Sequence, residues 1–587
     1  MLLPAERNEL DLLASEILGV AARRIEQRTL AAFGKIETTP LEFESCQSLA
    51  HGGVLLLIPF LIQNGLLTYR DHYRELDKGY YYMEVIILLL ALMYLCRIKS
   101  VEQLKQVSPG EFGKLLGLDR IPEVKCMRKK LRMITDQQSA SGWMMDLGKT
   151  WASKEENEFY YIDGHVQIYH GHKARLGKKY VSRQKLCLPG MQEFWINNEE
   201  GSPYFFVTGQ VNEKLQEAIK GQIIPKLLTQ MPVRYSDEEL ASDSELSRFT
   251  LVFDREAYSP VFFQELWQKF RVAVLTYRKN VRDLWDKEDF TSHEVKIEGI
   301  KTEMDLCAKQ ITLDNVVMTE VRKLNKNDHQ TSILTTNKKI TTESAARHMF
   351  ARWSQENFFR YMRQDYRLDS IVQNTVDQID KDFRIVNPEY NNVSYNLKKI
   401  REKISRRKAE LFSIQESLNR KDIDKVAKLE SKQSEKQEEL NLLEVQENQL
   451  LTTRKSMEYK ITIQDMPESV KYNSLHLESK RFQNVIKMIC YRAESSMANI
   501  LLPHFKRSKD EKRSLIKSLI QTPIDLSCDN KSKRLTISLY SQSNPRMNKA
   551  AQQLCTLLNE TETIYPGTNL QLHYQIATSN LTPSQEV

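Results

Sequence analysis

Residues 343–362, ESAARHMFARWSQENFFRYM, constrain the chain more than any other stretch. They hold no Gly or Pro, Thr342 can cap their start, and they read as one helix. Ala346, Met349, Trp353 and Tyr361 recur at helical spacing and should face a core. Glu356 follows Trp353 by three residues and so sits close to that apolar stripe, where a carboxylate is costly unless a positive group holds it. Arg352 and Arg363, four residues before it and seven after, lie on the same side. Arg, Glu and Arg aimed at one place suit a metal ion beside phosphate. An ion-paired helix on a half-buried face is the plainer alternative.

The length of 587 residues implies several domains, and 20 Gly with 17 Pro are few enough to expect a helix-rich chain. A net charge of +8 is compatible with nucleic acid without requiring it. The eight cysteines include no CxxC pair, so they signal neither a zinc module nor a disulfide framework and fit a reducing compartment. The N-terminus, MLLPAERNELD, lacks the basic start and apolar run of a signal peptide. Two apolar blocks, residues 54–62 and 85–96, are nine and twelve residues long. Both fall short of the roughly 20 that a spanning helix needs, so buried helices, no membrane partner and a cytoplasmic protein are expected.

Residues 1–150 read as a helical region, and residues 108–135 within them resemble a helix-turn-helix. Ser108 can cap, Pro109 can take the first helical position, Gly117 ends the short helix and Pro122 opens the next. Val124, Met127, Leu131 and Ile134 form one face of the second helix; Lys125, Arg128, Lys129 and Arg132 form the other. Residues 97–135 hold ten Lys/Arg against four Asp/Glu, a local excess of +6. Lys125, Lys129 and Arg132 are candidates for DNA-backbone contact, against a helical hairpin with a solvated basic face.

The pattern changes over residues 151–388. Residues 159–162 read as a strand ending at Asp163-Gly164-His165, and 166–169 as a second strand. Residues 193–196 and 204–207 flank a hairpin turn, 216–228 suit a helix, and 236–247 read as a polar acidic loop. A strand at 249–253 runs into Asp254, followed by a helix at 261–270 and a strand at 272–276. Two acids at strand ends and one on a helix stand where an open α/β sheet keeps its site. Alternating pairs between residues 294 and 337 predict an antiparallel β insertion at about 281–340. Over residues 389–459 a heptad-like stripe from Val393 to Leu418 and a second apolar set from Val426 to Leu450 predict a coiled coil or helical hairpin. Residues 460–587 read as a small α+β region.

Three carboxylates on separate elements can hold two Mg²⁺, with Mn²⁺ as the alternative ion, for an in-line displacement at phosphorus. YIDGH, LVFDREAYS and RWSQENFFRYM resemble the acidic motifs of bacterial DDE transposases of the insertion-sequence type. Those enzymes have a ribonuclease H-like catalytic core, and the closer match is to those with an all-β insertion between the second Asp and the Glu. The resemblance runs from about residue 50 to the C-terminus and is strongest over 158–366. It implies a multidomain α/β fold with such a core, and Asp163, Asp254 and Glu356 as catalytic and metal-binding residues. It matches Arg352 to the arginine of the signature helix. Met349 stands where a tyrosine is common, and Arg363 where a lysine is common; Arg363 can still grip phosphate. Double-stranded DNA, as element ends and target, and a homodimer or higher assembly on it are the implied partners. The rivals are a DNA-binding protein that keeps the fold without cleavage and a ribonuclease H-like nuclease that cuts without joining.

Other residues are candidates of lesser weight. Arg255 and Tyr258 follow Asp254 and are placed to touch DNA, or to pack at a helix start. The basic run 172–183 could line a DNA path or a solvated loop. His165, His170 and His172 could suggest a metal site, but a further ligand at fixed spacing is missing. Without metal, three like charges repel, so Glu356 is expected to swing outward while the backbones converge.

Overall fold

The computed structural model describes residues 18–577 apart from 77–78, 156, 172–173, 175, 182–183, 210–212, 233, 298–299, 370, 372–375, 378–383, 420–425, 463, 467–473, 476, 502–508 and 543. In the N-terminal region a strand β1 (Cys46–Leu49) precedes the principal helices α1 (Met83–Leu95), α2 (Pro109–Lys114), α3 (Val124–Thr135) and α4 (Ala140–Glu155). All thirteen residues of α1 are buried, as its apolar run requires. The carboxylate that this run carries, Glu84, is paired with Arg70. Val124, Met127, Leu131 and Ile134 of α3 are buried, and Lys125, Arg128, Lys129 and Arg132 are exposed. Pro122 stands two residues before α3 rather than opening it. Among the described residues no helix is long and apolar enough to cross a membrane.

Residues 151–388 build one large sheet from β2 (Phe159–Ile168), β3 (Lys178–Val181), β4 (Leu186–Asn197), β5 (Pro203–Gly209), β6 (Phe249–Phe253), β7 (Val272–Tyr277), β8 (Thr291–Ile297), β9 (Ile300–Leu313), β10 (Val316–Leu324) and β11 (Gln330–Thr335). Its central order is β5-β4-β2-β6-β7, with β5/β4 and β4/β2 antiparallel and β2/β6 and β6/β7 parallel. The two strands expected at 159–162 and 166–169 are one. β4 pairs with β2 without interruption from Tyr161↔Asn197 to Ile168↔Gly190, so the ladder runs straight through Asp163 and Gly164. The alternating pairs of the insertion fall in β8 to β11, a run of antiparallel hairpins. β11 also pairs with β7, so the insertion extends the core sheet.

Between β5 and β6 lie α5 (Leu215–Ala218), a π-helical turn (Ile219–Ile223) and α6 (Ile224–Gln230). The acidic segment expected as a loop contains a short helix, Asp237–Ser242, closed by a capping box between Ser236 and Glu239. Helix α7 (Pro260–Phe270) joins β6 to β7. The helix expected over 343–362 is two, α8 (Thr342–Ala351) and α9 (Trp353–Tyr366), interrupted at Arg352. The cap of α8 is Thr341, whose hydroxyl accepts from the Ser344 amide, and not Thr342. The two helices also bury different faces. Ala346, Met349 and Tyr361 are buried as expected, but Trp353 is 64% exposed.

Helices α10 (Pro388–Asn419) and α11 (Val426–Ser456) form a helical hairpin, rooted by a ribbon of Arg384–Val386 with Lys460–Thr462. Leu397, Ile404, Ile414 and Leu440 are buried in it, and Arg401–Glu447, Arg407–Glu439 and Lys408–Glu444 pair across it. The stripe on α10 is thus covered by α11 of the same chain. Asn419 to Asp422 and the side chain of Val426 lie at or outside the limit of the described residues.

Residues 1–150 and 460–587 pack against each other. The C-terminal region, with α12 (Glu478–Leu501), α13 (Lys509–Gln521), β12 (Ile524–Asp529), β13 (Arg534–Leu539), α14 (Pro545–Asn559) and β14 (Gln571–Ile576), closes onto the N-terminal one. Strand β1 pairs antiparallel with β12, Cys46 opposite Leu526 and Leu49 opposite Ile524, so residues 1–150 are not all-helical. A Cβ on Gly53 would meet the Leu519 carbonyl oxygen at 1.8 Å, so this junction needs glycine. Buried residues of α1, α4 and α12 share one hydrophobic core. A chain ending at residue 477 should therefore expose the all-round apolar α1 and aggregate. A soluble, cooperatively unfolding monomer of that truncated chain would contradict the shared core.

Candidate functional site

Strands β2 and β6 run parallel with Ile162 opposite Phe253, so the next residues, Asp163 and Asp254, are neighbours on adjacent strands. Asp254 ends its strand as expected, whereas Asp163 lies in the middle of β2. Asp163 Oδ1 accepts from the Gly164 amide at 2.9 Å, and Asp254 Oδ1 accepts from the Arg255 amide at 2.7 Å. These bonds aim both carboxylates to the same side of the sheet edge. Glu356 approaches from the first turn of α9.

One guanidinium joins all three. Arg352 Nη2 donates to Glu356 Oε1 at 3.2 Å and to Asp254 Oδ2 at 3.4 Å, and its Nη1 stands 4.0 Å from Asp163 Oδ2. The Arg352 side chain is 10% exposed, while those of Asp163, Asp254 and Glu356 are 28%, 47% and 47% exposed. The cation is therefore the buried member, and the acids line its open side. Glu356 is not swung outward, because this positive charge offsets the repulsion that was expected to displace it. Arg352 Nη1 is buried without a hydrogen-bond acceptor among the described residues.

Burial pushes the Asp163 carboxyl up to about 6; Arg352 and the Gly164 amide oppose that rise, and the nearby Glu256 and Asp254 charges add to it. Among the described residues no group of three His, Cys, Asp or Glu already stands arranged to hold a metal ion. The donor set nevertheless fits one. Three carboxylates from three elements converge on a single cation, and oxygen donors are what Mg²⁺ takes.

Gln355, which sequence reasoning passed over, sets the entry of α9. Its Nε2 donates to the Tyr161 carbonyl at 3.2 Å, the Trp195 carbonyl at 3.3 Å and Asn197 Oδ1 at 3.1 Å. Gly201, at φ +85°, lets the β4–β5 turn approach the Ser354 carbonyl, which a Cβ would meet at 2.5 Å. Glu256 was also missed. Its only signal was a third acid two residues after Asp254, and Gln192 Nε2 donates to it at 3.4 Å.

The remaining candidates divide. Arg363 is half-buried two turns beyond Glu356 on α9. Arg255 is exposed beside Asp254, its guanidinium 5.8 Å from the Tyr277 ring. Tyr258 is half-buried and packs edge-on against Phe263 at 5.7 Å. Met349 is fully buried in a cluster with Phe159, Tyr161 and Val252. His165 bonds Asp369 at 2.5 Å and stacks on Phe359, so it braces α9. His170 is exposed, and His172 lies outside the described residues. Of the basic run 172–183, Lys178 and Lys179 lie on β3, while 172–173, 175 and 182–183 also lie outside the described residues. Lys125, Lys129 and Arg132 are exposed on α3, and Arg128 on the same face is bonded to Glu102.

A family model described as "Transposase protein" matches residues 19–578 of the chain. No curated protein matches it.

Replacing Arg352 with Gln should leave three acids facing one another without their shared cation. At pH 7 the melting temperature should fall by a few degrees, roughly 1–2 kcal/mol for partly exposed pairs. The deficit should shrink on acidification toward pH 5, where Asp163 carries its proton. An unchanged melting temperature at pH 7 would remove Arg352 from the support of the acids.

Proposed function

The chain belongs to the transposase protein family, and from that premise we propose that it is a metal-dependent DDE transposase that cuts DNA strands at the ends of a mobile element and joins them to a target. The observation that carries this reading is the convergence of Asp163, Asp254 and Glu356 on Arg352, although the acids stand 91 and 102 positions apart in the chain. A ribonuclease H-like core is the finer fold reading. It is supported by a mixed sheet with its first acid on the central strand, its second on the parallel neighbour and its third on a helix packed beside them.

In this mechanism Asp163, Asp254 and Glu356 would hold two Mg²⁺, whose chemistry there is to activate a water or 3′-hydroxyl and to stabilise the leaving oxygen of an in-line displacement. The residues do the positioning. Gln355 fixes the start of α9 against β2 and β4 and so sets where Glu356 reaches. Arg352, released from the acids, is placed to grip a phosphate oxygen with its fork of donors, and Arg363 extends that positive edge along α9. Arg255, exposed beside Asp254, would contact a backbone phosphate. Lys125, Lys129 and Arg132 of α3 would contact DNA outside the cleavage site. Pairing of two element ends implies two or more copies on the DNA.

Asp163→Asn, Asp254→Asn and Glu356→Gln should each abolish Mg²⁺-dependent strand cleavage and leave DNA affinity within about threefold, because each amide keeps the shape and loses the anionic ligand. Full cleavage by any one variant would remove that residue from the site. Lys125→Ala, Lys129→Ala and Arg132→Ala together should weaken DNA binding and reduce the log–log salt slope by roughly 0.9 for each phosphate that is no longer neutralised. An unchanged slope would leave α3 a packing helix.

A further inference from the structure

The hairpin arm carries a charge pattern that its own packing does not use. All seven Lys/Arg of α10 fall between residues 398 and 408, against one acid, Glu402. Arg401, Arg407 and Lys408 are spent on the inner side, paired with Glu447, Glu439 and Glu444 of α11. The other four, Lys398, Lys399, Lys403 and Arg406, are exposed and make no ion pair among the described residues. At 100° per residue they fall with Tyr395 within about 70° of the direction opposite Leu397 and Ile404, turned away from α11. Tyr395 is 56% exposed, and Lys399 Nζ lies 4.6 Å from its ring centroid. A merely solvated helix face would be expected to interleave its signs. Here α11 draws acids to the inner side, and the outer side keeps a cationic stripe.

The root of the arm places this stripe. Lys460, in the ribbon from which the hairpin rises, pairs with Glu217 of α5 at 3.0 Å. On the same helix, Gln216 Nε2 donates to the Ala257 carbonyl at 3.1 Å, three residues after Asp254. The arm therefore springs from the flank of the acidic site. Helix α10 is 32 residues and about 48 Å long, and the stripe occupies roughly 15–27 Å from its start.

We propose that the outer face of α10, through Lys398, Lys399, Lys403 and Arg406, is a duplex-DNA backbone contact that holds DNA where it leaves the acidic site. The inference rests on the DNA-processing reading above and adds a contact surface to it. The face is rich in Lys and Arg, the side chains that neutralise phosphates, and phosphate contacts carry no sequence information.

The test is fluorescence anisotropy of the full chain with a labelled 40-base-pair duplex across a salt series, with light scattering in parallel. Lys399→Gln, Lys403→Gln and Arg406→Gln together should weaken binding at least tenfold and flatten the log–log salt slope by roughly two to three. The unfolding midpoint should stay unchanged, since exposed helix positions tolerate Gln. Glu402→Gln should shift affinity the other way and tighten binding severalfold. Unchanged affinity and slope in the triple variant would overturn the proposal and leave the function reading intact. Unchanged DNA affinity with a fall in molecular mass would assign the face to contact between copies and overturn it equally. Preferential displacement of the duplex by single-stranded RNA would overturn the choice of partner. No duplex binding by the unaltered chain would overturn both this proposal and the reading it rests on.

Discussion

Three half-buried carboxylates cannot stand together unless a positive charge stands with them, and Arg352 is that charge. Its guanidinium reaches Glu356 and Asp254 at 3.2 and 3.4 Å and faces Asp163 at 4.0 Å. The break between α8 and α9 falls at this residue, and the helices on either side keep their own buried faces. What fixes α9 after the break is local and specific. Gln355 bonds two strand carbonyls and an Asn side chain, and the turn at Gly201 comes close to Ser354.

The opposite face of α9 is fastened to both ends of the chain. Tyr361 donates to Glu494 of α12 at 2.6 Å, and Arg97, just beyond α1, donates to Tyr361 at 2.7 Å and to Glu494 at 2.6 Å. Lys517 of α13 pairs with Asp365 at 2.9 Å. Buried charges of this kind hold only when each finds its partner. The position of Glu356 therefore depends on α12 and α13, which in turn depend on the β1–β12 pairing and the shared core. A site built from residues 163, 254 and 356 is held in place by residues near 50, 97, 494 and 517.

The acids were legible because strand patterns ran into Asp163 and Asp254, and a helical pattern placed Glu356 near Arg352. The split of α3 into buried and charged faces was legible for the same reason, since periodicity reports burial directly. What was misread depended on partners distant in the chain. Gly164 looked like a turn because the β4 ladder that carries β2 through it is formed about 30 residues later. Trp353 looked like core because one buried face was carried across Arg352, whereas the two helices bury different ones. The pairing of Cys46–Leu49 with Ile524–Asp529 leaves no local trace, as four residues at a sheet edge carry too little periodicity to be read. Gln355 gave no signal at all, because a polar residue on a helix does not announce which carbonyls it will meet.

The most direct measurement of the central claim is the anomalous diffraction of Mn²⁺ in crystals of the unaltered chain. The account predicts peaks among Asp163, Asp254 and Glu356, with the Arg352 guanidinium moved off the three carboxylates it bridges without metal. Mn²⁺ bound only elsewhere, or absent at saturating concentration while Arg352 keeps its contacts to Asp254 and Glu356, would contradict the account.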